Sequence, residues 1–345
     1  MADRAKYSGM RRQVIVTAAV AQHEMARLRR LTDAGLEVVE RFDLDDVSDQ
    51  AALLAGLAGA WATIAGSETY SGTLLEQLPD LAAIARWGSG YDRIDVRTAT
   101  EQGIAVLTAP GANADPVADC AVMLMLACVR RLRAVDASVR SGAWRQPELT
   151  GDLTGATVGV VGLGAIGQAV VRRLRGFDCR VLGSDPAADP ADCRQAGVEL
   201  LDLPNVLSQA DIVTLHAPRT PATHGLIGVR ELASMPSGAI IINTARGELV
   251  DEDALVAALE RGHLGGAGLD VFSQEPMPPG HRLTQLDNVV LSGHAASFTA
   301  LAARRTADAV VDALLQLERG TLTAGCVNPE VRRTPNARSA MAWRR

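Results

Sequence analysis

At 345 residues the chain is too long for a single compact α/β core and suits two domains. With 48% hydrophobic, 21% charged and only 3% aromatic residues it has a globular composition in which Ala, Val and Leu must fill the cores. The net charge of −6 is unevenly spread: Arg332, Arg333, Arg338, Arg344 and Arg345 place +5 on the last fifteen residues, which leaves the body near −11 and argues against nucleic acid as a partner.

In chain order, Met10-Arg11-Arg12 ahead of the apolar run Val14 to Ala21 has some features of a secretory leader, but the run is short and reads better as a first strand, Val14 to Ala19. Further strands are expected at Glu37 to Arg41, Ala62 to Ala65, Ala82 to Arg86 and Ile104 to Leu107, with helical patterns at His23 to Leu31 and Ile94 to Gln102. Strand-helix alternation of this kind implies a small parallel sheet covered on both faces. Asp119 to Leu132 is apolar nearly all round and is expected to be a buried helix. No apolar run approaches the length of a membrane span.

A second alternation starts at Thr157, with strands expected near 158–161, 180–184, 212–216, 239–243, 267–271 and 289–292. The helical pattern Ala300 to Leu317 then carries the chain back to the first sheet. The fold class is therefore α/β, with two doubly wound parallel-sheet domains: a Rossmann nucleotide domain and a smaller, flavodoxin-like substrate domain. The expected boundaries are 1–111 with 297–330 for the discontinuous substrate domain and 112–296 for the nucleotide domain, with 331–345 as a basic, disordered tail and the active-site cleft between the domains.

Gly162-Leu163-Gly164-Ala165-Ile166-Gly167 follows the apolar run Val158 to Val161 and opens a segment with Ile166, Val170 and Leu174 at helical spacing. Gly162 permits the strand-to-helix turn, Gly164 admits a pyrophosphate to the backbone, and Gly167 lets the helix press on the strand. The pyrophosphate would lie at the helix N-terminus. Asp185 ends the next strand, where a carboxylate accepts both ribose hydroxyls and repels a 2′-phosphate, so NAD is expected rather than NADP.

Ligands of a doubly wound sheet bind beyond the carboxyl ends of its strands, which singles out Arg246, Glu275 and His294. Arg246 can pair with a substrate carboxylate and polarise the reacting oxygen, in a planar fork that Lys lacks. His294 can take or return the hydroxyl proton, and Glu275 can hydrogen-bond the other ring nitrogen and fix its orientation. His23, His216, His224, His263 and His281 lack paired carboxylates or ligand spacing, so no metal site is expected. Five scattered cysteines, an odd number, suit reduced thiols and a cytoplasmic location.

At these residues the chain resembles the D-isomer-specific 2-hydroxyacid dehydrogenase family. The matching stretches are Arg86 to Asp95, the glycine turn, Leu215 to Pro221, Asn243 to Leu255, Asp270 to Pro276 and Ser292 to Ala296. Asp115 to Asp119, His294-Ala295-Ala296 and Cys326-Val327-Asn328-Pro329 look most like the branch of C-terminal-binding-protein-like bacterial dehydrogenases. The resemblance implies hydride transfer between NAD(H) and C2 of a small D-2-hydroxy or 2-keto acid, with Arg246, Glu275 and His294 catalytic. By the same resemblance Ala165, Ile166, Asp185, Thr244, Ala245 and Asp270 line the NAD site, and the amides of Ser89 and Gly90 help hold the substrate carboxylate.

The chain departs from the family at Gly293, usually proline, at Arg219, usually leucine, and at Ser297, where this branch often has a tryptophan that closes on the substrate. Alternative readings are an NAD(H)-sensing scaffold of corepressor type and a dehydrogenase directed at phosphite or phosphonates. The scaffold relatives carry long extensions, and the chain ends soon after its core with no room for a further regulatory domain, so serine-type feedback is not expected. A homodimer is implied, formed through Asp119 to Leu132 and the segment from Arg133 to Trp144.

Overall fold

The computed structural model describes residues 12–45, 47–144 and 149–334. The chain divides into two compact units, one running to Asn113 and resumed at Ala300, the other spanning Ala114–Thr299.

In the first unit five strands form one parallel sheet: β1 (Gln13–Val16), β2 (Glu37–Glu40), β3 (Ala62–Ala65), β4 (Ala83–Arg86) and β5 (Ala105–Leu107). Their order β2-β1-β3-β4-β5 reverses between β1 and β3, as in a doubly wound fold. β3 is buried along its whole length, and β4 at every residue but Arg86, because helices cover both faces. On one face α1 (Met25–Asp33) and the long terminal helix Ala300–Glu318 bury Leu28, Leu31, Val310 and Leu314. Arg27 ties the two helices by donating to Asp308 at 2.7 Å. On the other face α2 (Gln50–Leu57), α3 (Gly72–Glu76) and α4 (Val96–Glu101) bury Leu53, Leu74 and Ala99, and the sequence reading had identified neither α2 nor α3.

β1 ends three residues earlier than expected. The Thr17 amide turns to the Ile64 carbonyl at 3.0 Å, its hydroxyl donates to Glu68, and a 3-10 helix follows at Ala19–Glu24. Glu68 is almost wholly buried, and desolvation raises its carboxyl above the usual range.

In the second unit seven strands form a parallel sheet: β6 (Thr157–Val161), β7 (Arg180–Ser184), β8 (Val198–Leu200), β9 (Ile212–Leu215), β10 (Ile240–Asn243), β11 (Gly266–Leu269) and β12 (Val289–Leu291). The order is β12-β11-β10-β9-β6-β7-β8, so the topology reverses between β6 and β9. Six strands were expected here. The seventh, β8, is a three-residue edge strand paired with β7 in which only Val198 is buried, too short a pattern to register as a strand.

The helix expected over 119–132 is instead α5 (Ala114–Val129), broken from α6 (Leu132–Arg140) at Arg131, whose φ of 48° leaves the helical region. Nor is α5 buried all round: one face packs on Leu163 and Val170, while Met123 is 52% exposed on the other.

The tail expected to be disordered from 331 is ordered at its start, since Pro329–Arg333 is a 3-10 helix with Val331 fully buried; residues 335–345 lie outside the described residues. Asn328 anchors this end. Its Oδ1 accepts from the Val106 amide at 2.8 Å, and its Nδ2 donates to the Thr100 hydroxyl and the Ile104 carbonyl, both at 2.9 Å. Among the described residues no helix is long and apolar enough to cross a membrane.

Asn328→Ala removes the hydrogen bonds to Val106, Ile104 and Thr100, the first two of them buried, and strands their partners. It is expected to cost about 3 kcal/mol in urea unfolding; a loss within ~0.5 kcal/mol, the range of a neutral surface change, would contradict this reading.

Candidate active site

The residues of interest in the second unit follow from its topology. Seven parallel strands end at one edge, so whatever comes directly after each strand collects there. Gly162 follows β6, Asp185 follows β7, His216 follows β9, Thr244 follows β10, Asp270 follows β11 and Ser292 follows β12.

Gly162 has φ +91°, and a Cβ there would lie 2.6–2.8 Å from the backbone of His216 and Ala217 on the neighbouring β9 loop. A side chain at Gly167 would sit 2.0 Å from the Gly162 carbonyl. Gly164, by contrast, faces open space. It caps α7 (Ala165–Leu174) without any side-chain hydrogen bond, so the amides of Ala165 and Ile166 open the helix toward that space. Asp185 is held by two amides, Leu163 N to Oδ2 and Ala187 N to Oδ1, both at 2.8 Å, and each carboxylate oxygen keeps a further lone pair.

Two buried polar atoms on the same edge have no partner among the described residues: Nδ1 of His216 and Oγ1 of Thr244. β9 and β10 run in register, Leu215 beside Asn243, so these two residues are neighbours. A glycine cradle, an uncapped helix start, a half-buried carboxylate and two orphaned polar groups fit a dinucleotide such as NAD.

Sequence reasoning had set His216 aside. The residue is partly buried, with its Nδ1 shut off from solvent and its Nε2 2.9 Å from the Thr214 hydroxyl, and desolvation lowers its pKa to about 3. The folded protein therefore holds it neutral while the unfolded chain protonates it near 6.5. Because the unfolded state takes the proton first, the contribution is complete above that pH and falls by about 1.4 kcal/mol per unit below it. Between pH 6.5 and 5, His216→Gln is expected to lose about 2 kcal/mol less stability than the wild type; parallel losses in the two proteins would refute this.

Arg246, Glu275 and His294 lie on three consecutive post-strand loops. Asn243 builds the first: its Nδ2 donates to the Arg246 carbonyl at 2.8 Å and its Oδ1 accepts from the Ala245 amide at 3.0 Å. Arg246 is half-buried and its Nη1 donates to the Ala245 carbonyl at 2.7 Å. Gly247 sets the contact with the second loop, because a Cβ there would lie 1.9 Å from the Phe272 carbonyl carbon. In that loop Glu275 Oε1 accepts from the Phe272 amide at 3.1 Å, and Oε2 lies 2.7 Å from His294 Nδ1. The His294 side chain is half exposed and that of Glu275 mostly covered. A carboxylate on Nδ1 leaves Nε2 as the nitrogen for exchange with a ligand.

Asp270 is 1% exposed. Its carboxylate accepts from the Ser292 hydroxyl and from the amides of Ala295 at 2.9 Å and Ala296 at 3.0 Å. Cys120, from α5, lies within reach of Ser292; burial, and then the charge of Asp270, push its thiol up to about 11, so it stays protonated. Ser297 is half-exposed on the His294 loop, and the adjacent Phe298, which sequence reasoning passed over, is exposed. Ser89 and Gly90 belong to the first unit, on the half-exposed loop after β4, where the Gly88 carbonyl accepts from the Ala109 amide at 2.9 Å. Among the described residues no group of three or more His, Cys, Asp or Glu side chains is placed to hold a metal ion.

Fold and edge together define a nucleotide-binding oxidoreductase. Residues 122–296 match the family model described as D-isomer specific 2-hydroxyacid dehydrogenase, NAD binding domain. A glyoxylate reductase from Korarchaeum cryptofilum is 38% identical over 315 residues, 88% of this chain and 95% of that protein. A D-3-phosphoglycerate dehydrogenase from Mycobacterium tuberculosis is 40% identical over 285 residues, 82% of this chain but 54% of its own length. Among solved structures, the D-lactate dehydrogenase from Aquifex aeolicus complexed with NAD and lactic acid superposes with a TM-score of 0.78 at 27% identity, covering 88% of this chain and 94% of that one. The chain belongs to the D-isomer specific 2-hydroxyacid dehydrogenase family and is an NAD-dependent oxidoreductase of the CH–OH group.

Proposed function

We propose that the enzyme interconverts a small, unphosphorylated 2-keto acid of the glyoxylate or hydroxypyruvate class and its D-2-hydroxy acid. The observation that carries the chemistry is the 2.7 Å approach of Glu275 Oε2 to His294 Nδ1, which leaves Nε2 to exchange the proton of the substrate oxygen. Arg246 pairs with the substrate carboxylate and polarises the adjacent carbonyl. Ser89 and Gly90 are proposed as backbone donors to that carboxylate, and Ser297 as a small residue that leaves room for the rest of the substrate. Bound NAD(H) supplies or takes the hydride at C2. Gly162, Gly164, Ala165, Ile166, Gly167, Asp185, Thr244 and Ala245 are proposed to hold it. The two amides on the Asp185 carboxylate keep that group oriented as a ribose ligand and as a barrier to a 2′-phosphate. An unphosphorylated substrate is favoured by the match to a glyoxylate reductase over 95% of that protein's length.

The test is a panel of 2-keto acids with NADH and NADPH. One of the unphosphorylated acids is expected to turn over with NADH, and His294→Ala to lower its kcat by about 10³-fold while NADH binding is kept. Unchanged turnover in that variant would remove His294 from the chemistry. Absence of turnover with every acid, NADH binding being tight, would favour a sensing scaffold. Equal use of NADPH would overturn the role of Asp185.

The same reading includes a homodimer. Met123, Leu132, Val139 and Trp144 are all at least half exposed on α5, α6 and the residues just after, an apolar patch that fits a second copy of the chain. Met123→Glu combined with Leu132→Glu is expected to sediment as a monomer where the wild type sediments as a dimer. A monomeric wild type would contradict the assignment.

A further inference from the structure

The ring of His294 is only as well placed as the loop that carries Glu275. From Asp270 to His281 that loop forms neither helix nor strand, and Ser273, Gln274 and Pro276 are exposed. Within it the Phe272 amide donates to Glu275 Oε1 at 3.1 Å, so the carboxylate takes its position from the Phe272–Ser273 backbone. Gly247 meets this backbone on one side. A second hold comes from Glu252.

Glu252 is the first residue of the helix Glu252–Glu260, which buries Leu255, Val256 and Leu259 and is capped by the Asp251 side chain, an acceptor for the Ala254 amide at 3.0 Å. Its own side chain is only 14% exposed and faces a segment twenty-one residues along the chain. Oε1 accepts the Ser273 amide at 2.5 Å and Oε2 accepts the Ser273 hydroxyl at 2.9 Å. At the far end of the same loop His281 Nε2 lies 3.6 Å from that Oε2, while His281 Nδ1 accepts the Leu283 amide at 3.4 Å. A carboxylate suits a helix N-terminus on charge alone. Charge alone does not put both of its oxygens on one serine of another loop.

We propose that Glu252 is a positioning residue for the reaction, which with Ser273 as its partner braces the loop after β11 so that Glu275 stands against Nδ1 of His294. The proposal rests on the reading of His294 as the proton-exchanging group. Holding the amide and the hydroxyl of one residue with two carboxylate oxygens fixes the orientation of that peptide as well as its distance. Loss of the brace leaves Glu275 and His294 in the chain but frees the Ser273 end of the backbone that sets Glu275. Misplacement of a group in a catalytic geometry by about 1 Å costs on the order of 100-fold in rate.

The test uses the full chain with an accepted keto acid. Glu252→Ala is expected to lower kcat at saturating NADH by about 10- to 100-fold and to leave the NADH dissociation constant within about threefold. Glu252→Gln can still accept the Ser273 amide and donate to its hydroxyl, and is expected to keep kcat within about threefold of the wild type. Ser273→Ala, which removes one of the two bonds, is expected to lose about three- to tenfold. The distinguishing measurement is a double-mutant cycle: because Glu252 acts through Glu275, adding Glu252→Ala to Glu275→Ala is expected to lower kcat by less than about twofold more. Should Glu252→Ala not fold, Glu252→Asp, whose carboxylate stops one methylene short of Ser273, carries the same measurements.

A kcat for Glu252→Ala within about threefold of the wild type overturns the proposal. A loss that multiplies in full with that of Glu275→Ala overturns it as well, for Glu252 then acts elsewhere. So does an equal loss in Glu252→Gln and Glu252→Ala, since a hydrogen-bonded brace survives the first change. His294→Ala measured alongside separates the two levels: if it keeps full rate, the proton-exchange reading fails and takes the proposal with it, whereas an inactive His294→Ala beside a fully active Glu252→Ala removes only the brace.

Discussion

The hydrogen bond between Glu275 Oε2 and His294 Nδ1, 2.7 Å long, joins two loops that are nineteen residues apart in sequence and leave different strands of one sheet. It does so only because the strands are parallel and in register, so their carboxyl ends share an edge. A carboxylate in contact with one ring nitrogen of the imidazole commits that nitrogen and leaves the other available. The other features of this edge bear on that geometry. Gly247 lets the Arg246 loop touch the backbone at Phe272, the Phe272 amide holds the far oxygen of Glu275, and Asp270 holds the turn that carries His294. Arg246, Glu275 and His294, the groups proposed for substrate orientation and proton exchange, are thus braced by contacts within and between three post-strand loops.

The nucleotide half of the edge is prepared by what it lacks. Gly162 and Gly167 are glycines because backbone occupies the space of their side chains, whereas Gly164 is a glycine with open space before it. That contrast separates packing glycines from one that leaves room for a ligand. The neutral His216, with its buried Nδ1, and the orphaned Thr244 hydroxyl extend the prepared surface along β9 and β10. Leaving such groups unpaired costs stability, which is the expected signature of a surface built for a polar ligand.

Much of this was legible from residue order alone. Apolar runs of four or five residues marked the buried parallel strands, and polar residues following such runs singled out Arg246, Glu275 and His294, of which the structure brings Glu275 and His294 into contact. What escaped were interactions whose partners are distant in sequence. Nothing near Asp270 announces that it will accept the amides of Ala295 and Ala296, and nothing near Gly247 announces Phe272. His216 looked inert because its distinguishing property is a ring nitrogen shut off from solvent, which spacing does not encode. The break between α5 and α6 was missed because Arg131 is a good helix former by type and leaves the helix only through its backbone conformation. The exposed face of α5 was read as core because Met and Leu are equally at home in a core and on an apolar surface patch.

The central claim is that Glu275 commits Nδ1 of His294 and so presents Nε2 to the substrate oxygen. The ring tautomer measures this directly, by nitrogen-15 resonances of histidine-labelled protein with His294 identified by its loss in His294→Ala. At a pH where the ring is neutral, the account predicts the proton on Nδ1, bonded to Glu275, and a bare Nε2, with the preference lost in Glu275→Gln. A neutral ring carrying its proton on Nε2, or a tautomer indifferent to Glu275, would contradict it.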